Sequence, residues 1–146
     1  VEVLELDLGV TKDSVLVIYH DQLMNPEICI YKNGKEITEK TPLHSLTLKQ
    51  VKQFDCGSKK HPRFKDQELV PGTEIPTLDE FFDLVSKHPH GAKVRFNIEM
   101  KSEEHLPKYS PSPKKFASLL IESLRKHKVL DRTIIQSFDL RTLKEA

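Results

Sequence analysis

Short runs of nearly continuous apolar residues, separated by segments with helical periodicity, constrain this chain more than any other feature. Val15-Leu16-Val17-Ile18-Tyr19 is rich in β-branched residues, and residues 94–100 and 133–137 have the same texture. Such runs suit strands buried on both faces, as in parallel sheets. Ahead of them, Val3, Leu4, Leu6 and Leu8 make a further strand, interrupted by Glu5 and Asp7 and followed by a turn at residues 11–14. Thr77-Leu78-Asp79-Glu80 reads as a helix N-cap with a capping-box Glu, leading into Phe81, Phe82, Leu84 and Val85. A second helix spans residues 111–128, with Phe116, Leu119, Leu120, Ser123, Leu124 and His127 at three-to-four spacing, and Asp139 is placed to cap a third. The alternation predicts an α/β fold with parallel strands and right-handed crossovers. An open doubly wound sheet and a (β/α)8 barrel both satisfy it. A barrel takes about 250 residues, so this chain of 146 supplies about half of one.

From residue 22 to residue 75 the pattern breaks. Asn33-Gly34 reads as a hairpin turn between Tyr31 and Ile37. A short helix is expected within residues 45–54, capped by Thr47, and a polar loop follows over residues 57–72. The stretch is too long for an ordinary loop and reads as an inserted small subdomain or lid.

Size allows one domain with a real core, so residues 1–146 read as part of a single domain. The formal net charge of +1 offers no strong field for nucleic acid, and no apolar run is long enough to span a bilayer. Residues 1–8 lack the basic start of a signal peptide. The chain opens on a strand and stops in the first turns of a helix, where natural domains fray, so a stretch of a longer protein is expected. Cys29 and Cys56 form no CxxC and read as two unrelated small apolar residues; a disulfide would need an oxidising compartment that nothing in the sequence demonstrates.

The polar residues that interrupt the strands fall into a pattern. Glu5 and Asp7 are two apart on one strand, and Glu99 and Lys101 are two apart at the end of another, so each pair shares a face. His20-Asp21 ends the second apolar run and Gln136 the fourth. In parallel α/β folds, functional groups gather where the strands' carboxyl ends meet the loops. Three carboxylates meeting there raise one another's pKa unless a cation neutralises them. Oxygen ligands suit Mg²⁺ or Ca²⁺, which keep waters and bind a phosphate oxygen. His20 could exchange a proton near neutral pH, and Lys101 could hold a phosphate anion. Glu-x-Asp alone is common, a strand-end His is often structural, and Glu99 with Lys101 could be an exposed pair; three strands loaded at one end are harder to explain that way. His44, His61, His88, His90 and His105 read as surface residues, and His127 as a partner of its helix dipole. The run Lys59-Lys60-His61-Pro62-Arg63 reads as a solvated loop.

Taken in order, several stretches together resemble the glycerophosphodiester phosphodiesterase family. They are Leu4-Glu5-Leu6-Asp7 with Val10-Thr11-Lys12-Asp13, Val17-Ile18-Tyr19-His20-Asp21, Leu46-Thr47-Leu48 through Phe54-Asp55-Cys56-Gly57, Ile75-Pro76-Thr77-Leu78-Asp79-Glu80, Asn97-Ile98-Glu99-Met100-Lys101, and Ile135-Gln136-Ser137-Phe138. The resemblance implies a TIM-type (β/α)8 barrel, of which this chain is roughly the N-terminal-to-middle half, with residues 22–75 inserted after its second strand. It implies Glu5, Asp7 and Glu99 as metal-binding carboxylates for Mg²⁺ or Ca²⁺, and His20 as one of two histidines acting as general acid and base. Lys101 and Gln136 fall on the substrate side. The implied reaction is hydrolysis of a glycerophosphodiester to glycerol 3-phosphate and an alcohol. Similarity to the phosphatidylinositol phospholipase C barrels suggests a cyclic phosphate intermediate. The family's first strand ends in a His-Arg-Gly motif with a Pro-Glu-Asn-Thr-like segment after it, neither of which occurs in residues 1–146. The expectation is therefore a fragment, inactive alone, with the second histidine upstream. Rival readings are a non-catalytic barrel acting as a binding module and a different metal-dependent barrel of the enolase type. Alcohol specificity, oligomeric state and compartment, cytoplasmic or periplasmic and secreted, stay open.

Overall fold

The computed structural model describes residues 2–146. In chain order its elements are β1 (Val3–Val10), β2 (Leu16–Ile18), β3 (Ile30–Tyr31), α1 (Leu48–Val51), β4 (Phe54–Asp55), α2 (Leu78–Lys87), β5 (Arg95–Met100), α3 (Pro113–Lys126), β6 (Thr133–Gln136) and α4 (Leu140–Glu145). β1, β5 and β6 pair in parallel, as the alternation with helices requires, within a sheet of order β2-β1-β5-β6. Their register sets Asp7 opposite Glu99, and Glu99 opposite Gln136.

Residue parity decides what each face of that sheet meets. Leu6, Leu8 and Val10 alternate with the acidic residues of β1, as Phe96, Ile98 and Met100 alternate with Asn97 and Glu99 on β5; these apolar residues are buried against α2 and α3. α2 begins as expected, with the Glu80 amide donating to the Thr77 hydroxyl at 3.1 Å and the Thr77 amide to the Glu80 carboxylate at 2.7 Å. Its Phe82 meets the ring of Phe96 edge-on, with centroids 5.2 Å apart. α3 delivers Phe116, Leu120 and Leu124 to the same core. Truncating such a side chain costs about 2–5 kcal/mol. The opposite face carries Glu5, Asp7, Asn97, Glu99 and Gln136.

β2 corrects the expectation of parallel pairing. It runs antiparallel to β1, with Leu8 opposite Ile18 and Val10 opposite Leu16. Only residues 11–15 separate the strands, too few for a crossover. They close as a turn in which the Val15 amide donates to the Thr11 hydroxyl at 3.0 Å and Ser14 takes a φ of 65°. The apolar run arises because successive residues face two different cores, Leu16 the sheet–helix core and Val17 the core of the following segment. Apolar continuity recorded burial on both sides and carried no information about direction.

Residues 22–75 gather around Met24, Cys29, Ile37, Leu43, Val51, Phe54 and Ile75. Thr47 caps α1 with a capping box, though the helix covers less than residues 45–54 and is preceded by the 3-10 turn Leu43–Ser45. The Asn33-Gly34 turn forms, with Gly34 at a φ of +83°, but it does not join two paired strands. β3 pairs instead with the distant β4, where Tyr31 packs on Phe54 at 4.6 Å. That register places Ile30 opposite Asp55, and one residue further out Cys29 meets Cys56. The two cysteines form a disulfide, correcting their reading as unrelated apolar residues; the pairing of β3 with β4 that juxtaposes them was invisible in their spacing.

Two histidines also differ from expectation. His44 is half-buried and its Nδ1 donates to the Val10 carbonyl at 2.8 Å, tying the segment to the end of β1. His127, at the C-terminus of α3, has its Nε2 2.9 Å from Asp79 of α2, so it fastens helix to helix as well as capping its own. The Leu48 amide adds a third tie, donating to Asp13 in the β1–β2 turn at 2.9 Å. Among the described residues, no helix is long and apolar enough to cross a membrane.

Candidate active site at the strand ends

β1 and β5 supply an acidic cluster. One carboxylate oxygen from each of Glu5, Asp7 and Glu99 lies within 4.8 Å of the other two. Spacing of two residues put Glu5 and Asp7 on one face, and parallel register brought Glu99 beside Asp7. The depth differs: Glu5 is exposed, Asp7 half-buried and Glu99 buried. Burial, then the charges of Asp7 and Glu99, push the Glu5 carboxyl above its ordinary range.

Lys101 reaches into this cluster, its Nζ 3.0 Å from Glu99 and 3.4 Å from Asp7. Burial works against its charge, but the hydrogen bond to Glu99 and the fields of Asp7 and Glu99 outweigh it and hold its pKa above the ordinary value. One ammonium offsets only one of three negative charges. The donor set is all oxygen, the chemistry that hard divalent cations prefer, so these residues fit such an ion.

Gln136 on β6 donates to the second Glu99 oxygen at 3.0 Å, and its own carbonyl accepts from Asn97 at 3.1 Å. These bonds fix the Glu99 carboxylate from the side away from Lys101. Asn97 is a site residue that the sequence reading missed. Its position two before Glu99 on the same strand, hence on the same face, was the available signal.

His20 arrives through the antiparallel return of β2. The Tyr19 amide donates to the Asp7 carbonyl at 3.0 Å, so His20 follows directly beside the acidic cluster. Its Nδ1 is 2.7 Å from Asp21 Oδ1. A carboxylate only accepts, so Nδ1 carries a proton and Nε2 is the ring nitrogen that faces away from Asp21. The imidazole is 70% exposed. His20, Asp21, Glu99 and Lys101 line one cleft of about 930 Å³, whose further walls include Met24 and Tyr109. His61, His88, His90 and His105 take no part in it.

Comparison with known proteins bears on this arrangement. The model of the glycerophosphoryl diester phosphodiesterase family matches residues 1–146. The chain belongs to that family. It is 32% identical to a glycerophosphodiester phosphodiesterase of Bacillus subtilis (strain 168), over 96% of this chain and 43% of the relative. Among solved structures it resembles a Silicibacter pomeroyi DSS-3 protein assigned to the glycerophosphoryl diester phosphodiesterases, with a TM-score of 0.87 and 23% identity over 99% of this chain and 50% of that one. It also resembles an Oleispira antarctica phosphodiesterase solved with its product sn-glycerol-3-phosphate, with a TM-score of 0.70 and 22% identity over 100% of this chain and 49% of that one. The family fold is thus shared at low identity. The chain spans less than half the length of the curated relatives it matches.

Proposed function

We propose that this chain forms part of a metal-dependent phosphodiesterase that hydrolyses glycerophosphodiesters to glycerol 3-phosphate and an alcohol. The observation that carries the reading is the clustering of Glu5, Asp7 and Glu99 around Lys101, at the edge of a cleft that Glu99, Lys101 and His20 line. In this reading β1, β5 and β6 are an arc of a (β/α)8 barrel, their acidic face lines its interior, and residues 22–75 are inserted beside its mouth.

Each residue then has a task. Glu5, Asp7 and Glu99 would hold Mg²⁺ or Ca²⁺, which when bound offsets negative charge building on the phosphoryl oxygens. Lys101 holds the phosphate anion, and its position beside Glu99 and Asp7 keeps the ammonium charged at neutral pH. Gln136 fixes Glu99 and would meet the substrate from β6. His20 moves the proton through Nε2, with Asp21 holding Nδ1.

The test is release of glycerol 3-phosphate from glycerophosphocholine and glycerophosphoethanolamine by the full-length protein, with Mg²⁺, with Ca²⁺ and with EDTA. Metal-dependent release that is lost in both Glu5→Ala and His20→Ala supports enzyme and site together. A folded protein that releases nothing under any condition would leave a binding module instead.

A further inference from the structure

We propose that Asn25 is a positioning residue that orients His20 through Asp21; this rests on the reading of His20 as the proton-transfer group. The imidazole is 70% exposed, and Asp21 is the hydrogen-bond partner that fixes it. Asp21 is itself 35% exposed and follows the end of β2, so its own orientation needs a support. Asn25 supplies one: its Nδ2 donates to Asp21 Oδ2 at 2.7 Å, while Asp21 Oδ1 takes the His20 Nδ1 proton at 2.7 Å. The carboxylate is held by one oxygen and used through the other. Burial works to raise the Asp21 carboxyl, and the hydrogen bonds from His20 and Asn25 outweigh it, keeping Asp21 ionised.

Asn25 is well placed to act as a fixed point. Its amide donates at 2.8 Å to the phenol of Tyr19, a residue only 8% exposed whose pKa burial pushes up to about 12, so the phenol stays neutral. Its carbonyl accepts from the amide of Cys29 at 3.0 Å, and Cys29 is held by the disulfide to Cys56. Its Oδ1 accepts from the Glu27 amide at 2.9 Å. The side-chain oxygen and the main chain thus build the turn, leaving the amide nitrogen to address Asp21. The core of residues 22–75 is in this way connected to the imidazole by named hydrogen bonds.

The division of labour within one side chain makes a clean test. Asn25→Asp keeps an oxygen for the Glu27 amide, removes the donor, and sets a second carboxylate against Asp21. Full-length protein with saturating Mg²⁺ would be assayed on glycerophosphocholine. The expected result is a fall in kcat of about 10-fold or more, the scale seen when an outer orienting group is lost, with KM within about twofold and Tm unchanged. In the His20→Ala background the same substitution is expected to change the residual rate by less than about twofold. Tyr19→Phe, which withdraws the hydroxyl from the Asn25 amide, is expected to lower kcat by a smaller factor, and it serves if Asn25→Asp does not fold. The inference is overturned if Asn25→Asp turns over like the wild type while His20→Ala is inactive, or if it costs as much without His20 as with it. Full activity in His20→Ala overturns the reading of His20 itself, and this inference with it.

Discussion

Lys101 stands where three negative charges meet, 3.0 Å from Glu99 and 3.4 Å from Asp7. In the absence of a metal its ammonium is what makes the cluster tolerable. Lys101→Met should therefore destabilise the metal-free protein by about 2 kcal/mol, the scale of a charge-assisted hydrogen bond. Millimolar Mg²⁺ should restore more stability to the variant than to the wild type. Thermal melts of both proteins with and without Mg²⁺ measure this; equal gains would mean that the carboxylates do not share the ion. At this scale the sequence was informative. Spacing of two set Glu5 with Asp7 and Glu99 with Lys101, because side chains alternate along a strand. It did not show Asn97 supporting Gln136, since an amide in a strand carries no sign of its partner.

Elements hold together through ties that a linear reading does not reveal. Cys29 and Cys56 are 27 residues apart, and a crosslink closing a loop of that size restrains the unfolded chain by about 3.5 kcal/mol on the chain-entropy account. Reduction, or Cys29→Ser, is expected to lower the hydrogen-exchange protection of residues 22–75 while β1, β5 and β6 keep theirs. Uniform loss across the chain would show that the segment and the sheet unfold as one unit. Gly9 marks where they touch: a Cβ there would lie 2.2 Å from Leu43 Cδ2, and Leu43 is buried. Gly9→Ala should cost about 1–3 kcal/mol by overpacking, read as a lower denaturant midpoint at unchanged m-value. The antiparallel course of β2 belongs to this scale. A five-residue connection excluded a crossover, so the turn length contained the answer that the apolar run did not.

For the whole molecule, two buried carboxylates, Asp55 and Asp139, contribute to the response to acid. Asp55 is held at about 2, against an ordinary 3.8, chiefly by the Ser58 hydroxyl, with burial opposing and the amides of Gly57, Gly72 and Ser58 assisting. Asp139 is likewise held at about 2, chiefly by Arg141, with burial opposing and Ser102 assisting. Both folded-state values lie below the unfolded ones, so between about pH 4 and pH 2 the unfolded chain binds more protons. Their stabilisation is complete above about pH 4 and is lost as pH falls through 2. Urea midpoints measured from pH 6 down to pH 2 should fall across that window, and Asp55→Asn should flatten part of the fall. A midpoint that does not change between pH 4 and pH 2 would contradict the assignment.

The sequence by itself determined the local pieces: the Thr77 capping box and the Thr47 cap, the amphipathic faces of α2 and α3, the parallel core of β1, β5 and β6, and the acidic residues that β1 and β5 carry on one face. These follow from side-chain periodicity and short-range hydrogen bonding, which neighbouring residues specify among themselves. The tertiary structure alone decided that Tyr19 bonds to Asp7 and so sets His20 beside the acidic cluster, that β3 finds β4 and so joins Cys29 to Cys56, and that Asn25 reaches Asp21 from a turn anchored on Tyr19. Those contacts depend on packing between segments far apart in the chain or on the course of a turn. Their partners are chosen by which surfaces bury together, a property no single stretch of sequence carries.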